Sequence, residues 1–470
     1  MNVVKQPPSF VFDFTRADEV VWSDGQSHCE LGGPGTRAGF FVDDREIADE
    51  VACLLPPLMA DLVDIALAVH TADRLALRTL DCSNNWSRHL ELRICVRCPE
   101  MWRDVLRDGR LEKLLAFLTE DVWQMAFVPR RDTLRRSEVQ DHLFGRNREN
   151  NVEVSLFSGG LDSLAGTVGR VSESAKRFIL VSASPNARQR SRQERQAKIL
   201  REELGGQISH VCIPYGLNRG DEYAQEPSRR TRGFLFLVFG GVTALMAKST
   251  ALYLYENGIG AMNLPYDRSQ IGTDNARAVH PRVLREVGEL LGLVADKPFS
   301  IQNRCIYKTK SEILQHPAIS RVGEAIPLTF SCDGFPVRTK ARAQCGFCTS
   351  CLLRRYSLEV AGLAYLDSDG YLQDWKSQSF TLSRHHLRGL RAMDWQVLRL
   401  ANCFAQRNPW RALISEFLDL RVLVNDLCMA DHETPARVEW QFSRVLRQHV
   451  ADWPGFSALQ LLHASREKVA

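Results

Sequence analysis

Residues 152–166 read V-E-V-S-L-F-S-G-G-L-D-S-L-A-G, and no other stretch limits the possible fold so sharply. The first six positions alternate and end apolar, as a buried strand does. The next six, Ser158, Gly159, Gly160, Leu161, Asp162 and Ser163, turn into a segment of helical pattern. Two adjacent glycines let the backbone take positive φ and approach a ligand. The helix N-terminus that follows presents unpaired N–H groups and a partial positive charge. With the hydroxyls of Ser158 and Ser163 as added donors, this is the composition of an anion site. A Walker loop carries a Lys beside its Ser to reach the β and γ phosphates, and none stands here. Pyrophosphate therefore fits better than γ-phosphoryl transfer. Asp162, at the helix entry, is a candidate to hold Mg²⁺ or to orient the loop.

A chain of 470 residues is long enough for two or three domains. Its 44% hydrophobic and 25% charged content are those of an ordinary soluble globular protein. A formal charge of +4 is small for this length and gives no argument for a nucleic-acid partner. The longest apolar run, residues 51–69, is broken by Pro56, Pro57, Asp61 and Asp64, so no membrane span is expected. Residues 1–14 hold two prolines and no apolar run, so a secretory signal is not expected and the location read from the sequence is the cytoplasm. In that compartment thirteen cysteines point to metal or buried thiols rather than disulfides.

Three regions follow. Residues 1–150 read as an α+β accessory domain for substrate or partner docking. Residues 10–21 are β-like, 32–35 (Gly-Gly-Pro-Gly) form a loop, 58–72 and 111–125 have helical pattern, and 75–80 with 90–96 read as paired strands. Cys95 and Cys98 end an alternating strand with no second pair nearby and read as buried thiols. Asp61, Asp64 and Asp73 read as a solvated helix face and Trp86 as a core residue. A polar linker, residues 130–151, closes this region.

Residues 151–365 alternate strand-like runs (152–157, 178–183, 208–213, 252–255) with helical segments (164–171, 190–204, 233–248), which implies a parallel sheet covered by helices. Ligands in such sheets bind outside the carboxyl ends of the strands. The Ser158 loop lies at one end and Ser184 at the next. Arg188, Arg190, Arg192 and Arg195 read as a solvated basic face. Arg230 and Arg232 open an apolar helix, where cations oppose the macrodipole, so a compensating anion is expected nearby and either could contact nucleotide or substrate. Glu256, Asn257 and Gly258 end the fourth strand at the pocket side. Residues 263–275, with Asp267, Arg268 and Asp274, have the composition of a recognition loop. His280, before Pro281, reads as a helix-start residue rather than a base.

Cys332, Cys345, Cys348 and Cys351 follow the pattern C-x12-C-x2-C-x2-C, whose tight end matches the turn that wraps a tetrahedral ion. Zinc, as Zn²⁺ in a structural site, is the default metal and an iron–sulfur cluster the alternative. Residues 366–470 read as a helical C-terminal region: 387–405, 410–427 and 438–450 are amphipathic, with Trp395, Trp410, Trp440 and Trp453 expected in their core.

The loop of residues 158–163 resembles that of the adenine-nucleotide α-hydrolase-like ATP pyrophosphatases, which implies a Rossmann-like parallel sheet. Taken with Lys310-Ser311-Glu312, Thr329, Cys332 and the run Cys345-Gly346-Phe347-Cys348-Thr349-Ser350-Cys351-Leu352-Leu353-Arg354, the core resembles the 7-cyano-7-deazaguanine synthases. The resemblance covers roughly residues 152–365. It implies adenylation of 7-carboxy-7-deazaguanine by ATP, then amide formation with ammonia and dehydration to a nitrile. Carried over, Ser158, Gly159, Gly160, Asp162 and Ser163 hold pyrophosphate and Mg²⁺, Ser184 and its neighbours seat the adenine, and Lys310 neutralises phosphate charge. The four cysteines hold zinc. The chain adds about 150 residues before that core and about 100 after it, and residues 184–186 lack the family's Tyr-Gly-Gln run. This enlarged form resembles the synthase-like proteins of anti-phage operons, such as the Qat and cyclic-oligonucleotide systems, which implies an amine of a partner protein as the acceptor. Two other readings stay open: a tRNA sulfurtransferase sharing the loop, which needs a reactive thiol among Cys95, Cys98 and Cys305, and a non-catalytic ATP-binding scaffold.

Overall fold

The apolar runs that alternate with helices from residue 152 onward form strands, and a parallel sheet is the consequence. The computed structural model describes residues 8–16, 18–24, 36–78, 87–132, 134–139, 151–205, 207–218, 224–266, 277–332, 344–367, 371–377 and 380–461. Ten strands make one sheet: β1 (Ser9–Phe14), β2 (Glu19–Asp24), β3 (Thr36–Val42), β4 (His89–Val96), β5 (Val122–Pro129), β6 (Val152–Leu156), β7 (Arg177–Ser184), β8 (Ile208–Asn218), β9 (Ala251–Leu254) and β10 (Ser300–Asn303). Their order is β10-β9-β6-β7-β8-β3-β2-β1-β4-β5. All pairs from β10 to β8 are parallel, as are β1 with β4 and β4 with β5. The pairs joining β1, β2, β3 and β8 are antiparallel. The fold is thus α/β with a mixed, mostly parallel sheet and a helical C-terminal region. No helix among the described residues is long and apolar enough to cross a membrane.

Strand β8 joins the accessory region to the core. Phe178 to Ser184 of β7 pair with its first half, and Gly39 to Val42 of β3 pair with its second. One hydrophobic core likewise runs from Phe12 and Leu67 to Val238 and Leu291. The helix Arg232–Met246 is apolar all round because it lies between the sheet and the helix Pro57–Leu75.

Several sequence expectations change in the folded chain. Residues 10–21 are not one strand but the antiparallel pair β1 and β2. The helical pattern of 111–125 ends early: the helix is Arg110–Thr119, Glu120 takes the left-handed conformation that stops it, and β5 begins at Val122. Leu75 closes a helix rather than opening a strand, and β4 pairs instead with β1 and β5. The acids of the helix Pro57–Leu75 are not solvated. Asp61 and Asp73 are fully buried, and Asp64 is held by Arg97, Arg130 and Arg135, two of these arginines coming from the stretch expected as a linker. Residues 32–35, Trp86, Asp267, Arg268 and Asp274 lie outside the described residues.

The C-terminal helices Arg384–Phe404, Pro409–Glu416, Asp419–Asp431 and Pro435–Asp452 pack on one another and on the core. Trp453 is buried there, whereas Trp440 is 63% exposed and so is not the core residue expected. Arg444 pairs with Glu312, and His449 Nδ1 lies 2.9 Å from Tyr356 Oη, fastening this region to the core.

Candidate anion and metal site

The loop after β6 is shaped by its own short contacts. Gly159 has φ +78, and a Cβ there would lie 2.9 Å from Gln193 Cγ, so both conformation and space require glycine. Gly160 N–H donates to Ser158 Oγ at 3.2 Å, and Ser163 Oγ donates to the Gly160 carbonyl at 2.9 Å. Two glutamines of the helix Ala187–Leu204 hold the loop carbonyls from behind: Gln193 Nε2 donates to Ser158 O at 2.9 Å and Gln196 Nε2 to Gly159 O at 3.1 Å. With its carbonyls so engaged, the loop sits on the N-terminus of the helix Leu161–Ser172, which carries the positive end of the helix dipole. Leu161 itself is buried in the core and offers only its backbone.

Asp162 lies beneath the loop. Its Oδ2 accepts from Lys310 Nζ at 2.7 Å and from Asn257 Nδ2 at 3.1 Å, while its Oδ1 is buried with no hydrogen-bond partner. Thr309 and Glu312 cap the helix Lys310–Leu314 reciprocally, which fixes where Lys310 points. Glu256, just past β9, stands beside this pair. Burial and the charge of Asp162 push its carboxyl up to about 8, against the pull of Lys310. β6 and β9 are adjacent, so the ends of these two strands bring Ser158, Asp162 and Glu256 together.

The cysteines form the second part. Their four Sγ atoms lie within 4.8 Å of one another, the separation of ligands around one ion. Cys345 N–H donates to Cys332 Sγ at 3.4 Å, Cys348 N–H to Cys345 Sγ at 3.3 Å and Cys351 N–H to Cys348 Sγ at 3.4 Å. Gly346, at φ +91, makes the turn, and a Cβ there would meet the Gln373 carbonyl at 2.4 Å. Hydrogen bonds from Cys332, Cys348 and Cys351 hold the Cys345 thiol far below its ordinary range, while those from Cys332 and Cys345 push the Cys351 thiol above it, as expected of four sulfurs that share protons when no ion is bound. This donor set can hold a metal such as zinc.

The two parts touch. Phe330 N–H donates to the Gly159 carbonyl at 3.2 Å, so the extended segment that leads to Cys332 is bonded to the loop of residues 158–163. Arg354, fully buried three residues after Cys351, reaches Thr329 Oγ1 at 2.5 Å, the Ile326 carbonyl at 2.9 Å and Asp367 at 2.8 Å. The helix Arg384–Phe404 braces the cluster from outside, with the His386 ring stacked on Phe347 at 4.4 Å.

Ser158, Gly159, Gly160, Ser163, Arg232 and Cys332 all line one cavity of about 1040 Å³, at the upper end of small-molecule sites. Ser184 does not line it. Alternation along β7 turns Val181 and Ala183 to the cavity, and the Ser184 hydroxyl is bound to Gln193 Oε1 and faces Cys212 Sγ at 3.2 Å. Arg192, expected on a solvated face, stands over the Phe330 ring at 4.5 Å and lines the cavity, while Arg190 pairs with Glu46 and Glu194. Arg230 is engaged by Glu120 and the Thr119 carbonyl. His280 caps the helix Pro281–Ala295, accepting from Arg282 N–H at 3.2 Å. The compensating anion expected at the helix Arg232–Met246 is Asp73, whose Oδ2 accepts from Thr231 N–H at 3.1 Å and Thr231 Oγ1 at 2.8 Å.

Sequence reasoning missed Arg74, Gln193, Gln196 and the partnership of Asn257 with Asp162. No local motif marks them, since they reach the site from elements far from the loop in sequence: Arg74 from the helix Pro57–Leu75, the two glutamines from the helix Ala187–Leu204 and Asn257 from the segment after β9. The structure thus sets a Gly-rich loop at a helix N-terminus beside a four-cysteine cluster that could hold a metal, on the wall of one cavity. No family model and no curated protein matches it.

Proposed function

We propose that the chain is an ATP-dependent C–N ligase that adenylates 7-carboxy-7-deazaguanine, or a close relative, and passes the acyl group to an amine. The acceptor is ammonia or an amine of a partner protein in an anti-phage defence system. The observation that carries this reading is the juxtaposition of Ser158, Gly159, Gly160 and Ser163 with the cysteine-anchored Phe330 segment around one cavity, the Asp162–Lys310 pair lying buried beneath the loop. The strand order from β10 to β8 supports a Rossmann-like nucleotide fold: numbered from β6, it is the order 3-2-1-4-5, and β6 and β9 flank the switch point where such sheets bind nucleotides.

In this reading the backbone N–H groups at the start of the helix Leu161–Ser172 bind the departing pyrophosphate, and the Ser158 and Ser163 hydroxyls exchange their bonds within the loop for it. The carboxylate oxygen of the acid attacks the α-phosphorus and pyrophosphate leaves. The amine then attacks the acyl carbon, AMP leaves, and one amine proton must be taken up. Glu256 lines the cavity and its carboxyl ionises near pH 8, so it is the group placed to take that proton. Mg²⁺ would neutralise the phosphate charge, and Asp162, the carboxylate beneath the loop that is shared among Lys310, Asn257 and Glu256, would hold it. Zn²⁺ would be held by Cys332, Cys345, Cys348 and Cys351 in a structural role, fixing the wall that carries Phe330.

The thiolation reading loses support from the thiols it needs. Burial raises Cys95 and Cys98 above the ordinary thiol range and pushes Cys305 up to about 12, the opposite of an activated nucleophile. The test is pyrophosphate release from ATP by purified protein, with and without 7-carboxy-7-deazaguanine, followed by mass spectrometry of small molecules and any co-purified protein. Release that requires the acid and is lost in Asp162→Ala supports the ligase, and the product mass identifies the acceptor. Release indifferent to the acid, from protein that is folded and metal-loaded, overturns the substrate.

A further inference from the structure

Three guanidinium groups meet in the cavity, and among the described residues none of them forms an ion pair with a carboxylate, although Asp73 and Glu226 lie close enough to act on the charge of Arg74. Arg74 comes from the end of the helix Pro57–Leu75, Arg229 precedes the helix Arg232–Met246 and Arg232 begins it; all three line the cavity that holds the phosphate loop. The acids nearest in sequence are committed elsewhere. Asp73 serves Arg88 and Thr231, and Glu226 accepts from the backbone of Arg78 and Ser228. Arg74 makes one side-chain bond, to Gln225 at 2.5 Å, and its Nη1 is buried with no partner. The Ser228 hydroxyl, at the same wall, is also buried and without a partner. Arg229 has φ +49, a left-handed backbone that a residue with a side chain adopts at a cost in strain. Its guanidinium is pushed down to about 10 by burial and by the charges of Arg74 and Arg232. A folded chain does not gather like charges and unpaired donors in a concavity for its own stability; an anion with several acceptor atoms relieves both.

The wall beside them is aromatic. Phe236 and Phe239 line the cavity one and two turns beyond Arg232, on the same face of that helix, and the Arg232 guanidinium lies 5.8 Å from the Phe236 ring centre. We infer that Arg74, Arg229 and Arg232, with Ser228, form a second anion subsite that holds the carboxylate of the acid to be activated, its planar ring against Phe236 and Phe239. This deepens the ligase reading and rests on it. Adenylation must bring a carboxylate against a polyanionic nucleotide, and three cations at that place offset the repulsion that otherwise opposes the encounter. The subsite also gives residues 1–150 a task in recognition, since the cluster is incomplete without Arg74.

The experiment is isothermal titration of the native chain and of Arg74→Gln, Arg229→Gln and Arg232→Gln with a non-hydrolysable ATP analogue, with 7-carboxy-7-deazaguanine and with indole-3-carboxylate. The acids are titrated both alone and with the analogue saturating. The expected result is that each substitution weakens binding of the acid about tenfold or more while leaving the affinity for the ATP analogue unchanged. Arg232 is exposed, so Arg232→Gln tests the cluster even where Arg74→Gln does not fold. Loss of ATP affinity with acid binding intact makes this a phosphate site and overturns the inference, as does no effect on either ligand or no binding of either acid to the native chain. Arginine-dependent binding of indole-3-carboxylate without binding of 7-carboxy-7-deazaguanine leaves the subsite standing and removes the deazaguanine substrate.

Discussion

Lys310 Nζ lies 2.7 Å from Asp162 Oδ2, and both side chains are almost fully withdrawn from water. The pair joins the start of the helix Lys310–Leu314 to the start of the helix Leu161–Ser172, directly under the loop of residues 158–163. Removing one partner strands a charge. Lys310→Met should cost about 3–5 kcal/mol of stability, and the double variant Asp162→Asn/Lys310→Met distinctly less than the sum of its singles. Urea denaturation measures this, and additive losses would show that the two groups do not act as a pair.

Gly159→Ala meets two obstacles, a positive φ and a contact of 2.9 Å with Gln193 Cγ. The expected stability cost is about 1–2 kcal/mol, and nucleotide affinity should fall more than tenfold because the loop N–H groups are displaced. Titration with an ATP analogue and a thermal melt separate the two effects. Unaltered affinity would exclude the loop as the nucleotide's anchor.

The cysteine cluster predicts one metal ion per chain, read by elemental analysis, and none in Cys348→Ser. Because Phe330 is bonded to Gly159, metal removal by a chelator should lower both the melting temperature and the affinity for the ATP analogue. A drop in melting temperature alone would mean that the two parts are mechanically independent.

Glu256 gives a pH dependence of fixed sign. Its carboxyl is raised from 4.5 to about 8 in the folded chain, by burial and by Asp162. Its contribution to stability is therefore fully present below pH 4.5 and is lost as pH rises to about 8. The melting temperature of the native chain should fall between pH 5 and pH 9 by more than that of Glu256→Gln, which stays neutral throughout. Parallel curves for the two proteins would exclude a buried, raised carboxyl.

Substituting Cys95, Cys98 and Cys305 together by Ala should leave pyrophosphate release within about twofold of native, since burial disfavours each thiolate and Cys305 meets the site only as a member of the apolar cluster that holds Phe157 and Leu161. Complete loss of turnover in folded protein would restore the sulfur-transfer reading.

What the sequence made legible was local and contiguous. The Gly-rich loop of residues 158–163 and the Cys345–Cys351 turn are specified by residues a few positions apart, so spacing alone located them. The core strands were legible because they are buried on both faces and read as apolar runs. The pairing of β3 with β8 was not, because antiparallel contacts across some 170 residues leave no periodic trace. Asp73 looked like a surface acid because its helix has charges at regular spacing. Its partners Arg88 and Thr231 lie 15 and 158 residues away, and they make it one of the most buried groups in the chain. The Ser184 expectation misplaced a side chain by one position of strand alternation, and Ala183 has the orientation that Ser184 lacks.

The double allegiance of β8 bears on how the chain can be cut. At present the sheet ends at β5, which closes with Pro129, and at β10, which is four residues long; both are poor templates for a further strand. A fragment starting after residue 150 would lose β3 and leave Tyr215 to Asn218 of β8 with unpaired backbone groups on an apolar wall. Such an edge recruits strands from other copies, so the isolated core should self-associate, whereas in the whole chain β3 covers that edge.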